Sequence, residues 1–574
     1  MALGRAKVWE AARERFDTSR LLIGLAVVVV CFLALVPLIL LFYSSISSAR
    51  PGELGALTLD NYLKAYGVRQ TYELLGNSML YAVGTAIFAF VIGSVLAWLC
   101  ARTNMPLKGL LFTLSMVPMV IPGILNTIAW LFLLSPRIGL VNKMLMQLLG
   151  LTNPPFDVFS IWGMIWVEGL LLSPLVFLMM WAAFIAMDPS LEDSATMSGS
   201  GIFSTFRRVT LRLMLPAILA VLLIMFVRGL ESFEVPALVG LPNRIFVFTS
   251  AIYVAIHDVP VDYGLAGAYS ISLLAISAVG VYLYGRATTR REQFSTVTGK
   301  AYRPREIDLG PWRYVAAIFF VLYFLVVVGL PLLVLVWNSL IPYTAAPSME
   351  LLSKVSLKNY AEVLNYGKIR QTFINSAIAA IGTATVVMLL TSIISWIVVK
   401  TDMPGKRLLD SLTFLPIAFP GLTLGVGLIW VYLTLPIPIY GTLWILVIAY
   451  VTRFMPYGLR TCSSSMIQIH RELEEASMSS GGSWFQTFSR VTLPLLRPAL
   501  LTGWIYVALI SIRELSSSIL LYSPGNEVLS IMIWDLWQGG EVQALASLGV
   551  IMVLSLSVLV FFFQRLGGRV GGRF

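Results

Sequence analysis

Long apolar runs and short polar connections alternate along this chain from end to end. Residues 21–43, 81–100, 314–336, 378–399 and 545–563 are the clearest runs. Each is close to the roughly 20 residues a helix needs to cross a hydrocarbon core. The pattern predicts spans at 21–44, 78–101, 109–134, 160–187, 214–233 and 264–285 in the first half. In the second half it predicts 314–338, 376–399, 409–434, 440–461, 496–512 and 543–564. A membrane β-barrel would instead show short segments of alternating polarity. None is visible, so the expected fold class is an all-α polytopic membrane protein.

The polar connections add direction. Lysine and arginine collect before the first span (Arg5, Lys7, Arg13, Arg15, Arg20), after the second (Arg102, Lys108) and after the fourth (Arg207, Arg208, Arg212). They return at the end of the chain as Arg565, Arg569 and Arg573. With six spans per half, all these groups fall on one side, which the positive-inside rule makes cytoplasmic. Both termini are then cytoplasmic. The run 21–43 is too long for a signal peptide and no small-residue cleavage site follows it, so it reads as a retained span.

The halves also repeat in sequence. NYLKAYGVRQTYELLGNS from Asn61 answers NYAEVLNYGKIRQTFINS from Asn359. The same offset pairs Asn77 with Asn375, Gly84 with Gly382, Trp98 with Trp396 and Pro106 with Pro404, and continues to Pro118 with Pro416 and Gly123 with Gly421. Six spans return the chain to its starting side, so the two repeats are parallel. The division is a first six-span half, 1–286, a basic linker, 287–312, and a second six-span half, 313–574.

Composition agrees: 58% of residues are hydrophobic and 12% are charged, about half the charge of a soluble chain. The net charge of +11 raises the possibility of nucleic-acid binding, but the basic residues sit in loops between spans and fit membrane orientation better. Three scattered cysteines and two distant histidines suggest neither disulfides nor a metal site. His257, Asp258 and Asp262 read as a solvated outer loop. No phosphate loop occurs, since GKRL at Gly405 lacks the upstream glycine and the hydroxyl residue. No nucleophile–base pair or metal cluster is visible. The chain is not expected to be an enzyme, and no catalytic or metal residue is assigned.

One polar stretch occurs twice: EDSATMSGSGIFSTFRRVTLR from Glu192 and EEASMSSGGSWFQTFSRVTLP from Glu474. Acidic residues suit the first turn of a helix, small residues admit close approach, and Gly199 or Gly481 ends the helix. Ile202, Phe206 and Val209, or Trp484, Phe488 and Val491, then form an i, i+4, i+7 stripe on a short amphipathic helix. Two such loops on one face suggest docking to a two-fold symmetric partner, and an interfacial helix is the plainer reading. Near the outer ends of the fifth and eleventh spans, Arg228, Glu231, Glu234, Arg513 and Glu514 are costly unless they face a path or pair with each other. They are candidates for a path lining or gate, or for an Arg–Glu pair that orders the halves. Pro118, Pro122, Pro416 and Pro420 suggest kinks in spans three and nine.

The doubled stretch resembles the EAA loop of ATP-binding-cassette importer permeases: E-A-A, three residues, G, nine residues, then I-x-L-P. The pattern falls on Glu475, Ala476, Ser477, Gly481, Val491, Leu493 and Pro494. In the first half it falls on Asp193, Ser194, Ala195, Gly199, Val209 and Leu211, with Arg212 in place of proline. ESFEVPALVGLP and RELSSSILLYSPGNEVLSIMIWDLW are similar to the iron(III)-type permeases, a group that also includes thiamine and aminoethylphosphonate permeases. The resemblance implies the type I importer permease fold in the bacterial inner membrane, with ferric iron as first substrate and thiamine, aminoethylphosphonate or polyamine as alternatives. It implies ATPase coupling through Glu192, Asp193, Ala195, Gly199, Glu474, Glu475, Ala476 and Gly481. The implied partners are a cytoplasmic ATPase in two copies, which carries the ATP and magnesium, a periplasmic substrate-binding protein and membrane lipid. A secondary transporter with parallel six-span repeats is the rival from another class.

Overall fold

The computed structural model describes residues 2–53, 55–187, 190–292 and 306–570. It is helical throughout, with isolated bridges at Ser47–Leu57 and Thr103–Ile307 in place of sheet. Nine helices among the described residues are long and apolar enough to cross a membrane, and three bent helix pairs bring the total to as many as twelve. Each half is built around a 34-residue helix, Arg69–Arg102 or Gly367–Lys400. At about 1.5 Å per residue these are far longer than a hydrocarbon core of about 30 Å. Their ends therefore project to the polar segments beyond the membrane.

Two expected spans take a different form. Residues 109–134 and 409–434 are not single crossings: Lys108–Val120 with Gly123–Leu134 is bent by 97°, and Lys406–Ala418 with Gly421–Thr434 by 111°. Pro122 and Pro420 stand at the two breaks. Proline removes an N–H and clashes with the preceding turn, so the chain turns a corner there instead of bending gently. A further bent pair, Pro236–Asn243 with Phe248–His257 (78°), lies in a stretch not expected to be helical in the membrane. Its counterpart in the second half is Ser518–Leu521 with Leu529–Gln538. Leu443–Met466, expected as span ten at 440–461, is a 24-residue helix that carries Arg453 and Arg460 and packs along Gly367–Lys400.

The halves are interleaved. The opening helix Ala2–Ser45 packs on Gly421–Thr434 of the other half, and Leu330–Leu340 of the second half packs on Gly123–Leu134 of the first. Tyr43 meets Trp430 edge-on at 5.7 Å, and a Cβ on Gly427 would stand 2.7 Å from the Pro37 carbonyl oxygen. The close approach leaves no room for a side chain at Gly427.

The repeated asparagines are staples. Asn61 donates to the Ser47 carbonyl at 2.8 Å, and Asn359 to those of Ser339 and Ile341 at 3.0 Å. Each thereby satisfies the open end of its half's first helix. Asn375 donates to the Gly525 and Glu527 carbonyls (3.1 and 3.0 Å) in the loop before Leu529–Gln538, and Asn77 donates to Phe246 at 3.3 Å. The adjacent Ser78 and Ser376 accept from Phe248 and Leu529 N–H at 3.0 and 2.7 Å.

The helix Tyr263–Glu292 runs into the expected linker and Trp312 opens the next helix. Residues 306–310 dock on the loop after Arg69–Arg102. Ile307 N–H donates to the Arg102 carbonyl at 2.8 Å, and Lys108 pairs with Glu306 at 2.8 Å. Gly310 N–H and the Asn104 amide donate to Asp308, which holds its carboxyl below the usual range.

Candidate functional site

Both copies of the doubled stretch form a short helix closed by glycine. Ser190–Met197 and Arg471–Ser479 end at Gly199 (φ +84°) and Gly481 (φ +88°). The Ser200 N–H bonds the Ala195 carbonyl at 3.1 Å and Gly482 N–H the Ser477 carbonyl at 3.0 Å. This is the six-to-one closure of a Schellman turn, which requires a left-handed residue at the glycine.

The acids do not mainly answer the helix dipole. Glu474 is buried and accepts from Thr492 Oγ1 at 2.8 Å and from Trp396 Nε1 at 3.4 Å. Glu192 accepts from Thr210 Oγ1 at 2.5 Å and pairs with Arg102 at 2.9 Å. In each half one carboxylate thus joins the short helix to two others: the end of the 34-residue helix and the foot of the span that follows. Glu475, one residue on, is exposed, as is Ala476. Ala195 is half-buried, and the side chain of Asp193 lies outside the described residues. The free face also carries Met197 (90% exposed), Leu473 (48%) and Met478 (46%).

The expected short amphipathic helix is not separate. Trp484–Thr487 continues through a π-helical turn, Phe488–Thr492, into Leu493–Ile512, so the stripe forms the first turns of the span itself. The first half repeats this at Phe206–Thr210, where the side chains of Ile202 and Phe206 lie outside the described residues. Trp484 stacks on Phe488 at 5.3 Å and meets Trp396 edge-on at 5.2 Å.

The path candidates lie between the halves, but their bonds differ from the expected Arg–Glu pairing among themselves. Arg228 of the first half donates to Tyr457 Oη of the second at 2.6 Å. Arg513 of the second half donates to the Met119 carbonyl of the first, just before the bend between Lys108–Val120 and Gly123–Leu134. Glu514 pairs with Arg453 at 2.8 Å and accepts Ser517 N–H at 3.0 Å. Glu231 is buried with Oε1 unpartnered, and Glu234 is half-buried near Gly123. Three members were missed: Arg453, Tyr457 and Glu168, whose carboxylate accepts Ser232 Oγ at 2.9 Å. The signal for Glu168 and Arg453 was present, since each is a lone charge inside an otherwise apolar run.

Elsewhere, His257 stacks on Tyr253 at 4.8 Å and Asp262 pairs with Lys64. No group of three or more histidine, cysteine or acidic residues is placed to hold a metal ion among the described residues.

Residues 393–570 match the family model of the binding-protein-dependent transport system inner membrane component. The ferric transport system permease protein FbpB of Actinobacillus pleuropneumoniae is 26% identical over 512 residues, covering 89% of this chain and 73% of that one. A probable ABC transporter permease, y4fN of Sinorhizobium fredii, is 27% identical over 535 residues, 88% of this chain and 90% of its own. A putative 2-aminoethylphosphonate permease, PhnV of Salmonella paratyphi A, is 26% identical over 166 residues, 29% of this chain and 63% of its own. With a family match over residues 393–570 and permease relatives along most of its length, the chain is similar to ATP-binding-cassette importer permeases, the ferric iron permeases among them.

Proposed function

We propose that this chain is the membrane subunit of an ATP-driven, binding-protein-dependent importer for ferric iron, worked by a separate ATPase through its two glycine-closed segments. The observation that carries the reading is the double tie of Glu192 and Glu474. A push on either short helix reaches two long helices at once, because one carboxylate holds all three. The free face, with Glu475, Met478 and Leu473 in the second copy and Met197 in the first, is what the ATPase would grip. The segments recur in both halves, which suits one permease and two ATPase copies.

In this reading the arginines that cross between the halves are the gate. Arg228–Tyr457 and Arg513–Met119 hold the first and second halves together beside the buried carboxylates. When ATP draws the coupling segments together, the long helices rotate, the crossing bonds break and the path opens outward; hydrolysis resets it. The chain binds no ATP or magnesium itself; both belong to the ATPase. A periplasmic receptor delivers substrate, both termini and the linker 287–312 face the cytoplasm, and the halves 1–286 and 313–574 rock against each other. Iron is supported by the relatives named as ferric permeases.

The test is the double variant E475A/G481A in the reconstituted importer. ATP-driven uptake is expected to be lost while the ATPase still turns over without stimulation by the loaded receptor. Fully coupled uptake in that variant would sink the coupling role. Uptake compared among receptor-bound ferric iron, thiamine, aminoethylphosphonate and polyamine decides the substrate separately.

A further inference from the structure

The two halves differ most clearly in the connection that precedes Ile161–Ile185 in one and Leu443–Met466 in the other. The first half carries an extra helix there, Leu140–Leu149, where the second passes from Thr434 to Leu443 by a short turn. This helix lies at the opposite end of Ile161–Ile185 from the segment Ser190–Met197. One side of it is pinned. Asn142 is buried, its amide donates to the Leu134 and Phe156 carbonyls at 2.9 Å, and its oxygen accepts Phe156 N–H at 3.1 Å.

The other side is bare. Met144, Leu148 and Leu151 are 52%, 76% and 40% exposed. Met144 and Leu148, at i and i+4, share one helical face, and Leu151 follows just past the left-handed turn at Gly150. In a protein that crosses a bilayer, lipid is available to cover such a stripe. The Phe156 clamp ties the helix to the chain that opens Ile161–Ile185, where Trp162 is 69% exposed at the head of a span. Tryptophan in that place marks the membrane–water boundary. The stripe is thus continuous with a surface that already faces lipid.

We propose that Leu140–Leu149 lies flat on the bilayer, with Met144, Leu148 and Leu151 sunk into the boundary between headgroups and acyl chains. The consequence is mechanical. Asn142 also holds the Leu134 carbonyl, so the outer end of the bent helix Gly123–Leu134 is moored to the membrane surface in the first half, and its counterpart has no such mooring helix.

The test uses the full chain in liposomes of phosphatidylethanolamine and phosphatidylglycerol. In a C31S background, an environment-sensitive fluorophore is placed at L148C, with N153C on the exposed loop beyond as comparison. The label at position 148 is expected to be quenched several-fold by lipids with brominated acyl chains and hardly by iodide, and the label at 153 the reverse. A label at 148 open to iodide and indifferent to brominated lipid overturns the proposal. So does one shielded from iodide only after a binding protein is added, because the stripe would then be a receptor contact.

Discussion

The segments Ser190–Met197 and Arg471–Ser479 share a backbone down to the glycine turn, yet they hold their inward acid by different chemistry. In the second, the buried Glu474 takes its bonds from the Trp396 indole and the Thr492 hydroxyl, both neutral, and Trp396 packs edge-on against Trp484. In the first, Glu192 faces the guanidinium of Arg102, whose side chain is 2% exposed and whose Nη1 has no partner. Arg102 also receives the linker through its carbonyl. One mechanical connection is thus made once with aromatic packing and once with a buried charge. The charged version is tied to the covalent joint between the halves, so disturbing it reaches further.

The comparison can be broken in order of size. E192A should cost the most, about 3 kcal/mol, because it strands a buried guanidinium, and detergent-solubilised protein should unfold at visibly lower temperature. Adding R102M to that variant should recover most of the loss, since removing both partners of a buried pair is often near neutral. E474A should cost less, about 1–2 kcal/mol, the loss of hydrogen bonds to neutral donors. An equal or larger loss for E474A would erase the proposed difference between the segments. G199A and G481A should match each other at about 1–2 kcal/mol, because both glycines are left-handed with nothing within 4 Å and only backbone strain is at stake. T210V and T492V should be the mildest, about 1 kcal/mol each. Unequal effects within either matched pair would show that the symmetry of the two segments stops at the backbone. In transport, the second segment is the closer match to the importer motif, so G481A is expected to slow uptake more than G199A.

The periodicity of the chain carried the spans and the repeat, and the doubled stretch carried the two glycine-closed helices, because both follow from local pattern. The corners at Pro122 and Pro420 were legible only as kinks. Turns of 97° and 111° need a neighbour to pack against, and that neighbour is the opening helix of the other half. Glu192 and Glu474 were assigned to coupling from sequence, but their inward direction was not, since adjacent acids on a helix look alike until one is buried. The repeated asparagines showed that something was conserved between the halves of this one chain; only the carbonyls they bond explain why.

The sequence by itself determined that this is a membrane chain of two parallel helical repeats with a polar, glycine-closed segment in each. Hydrophobic length, charge in the connections and internal repetition are all one-dimensional quantities. Tertiary structure decided which charges face each other. Arg228 meets Tyr457 and Arg513 meets Met119, 229 and 394 positions apart in the chain. Such pairings depend on how the halves interleave, and a buried charge takes whatever partner the packing brings within reach because leaving it alone costs more.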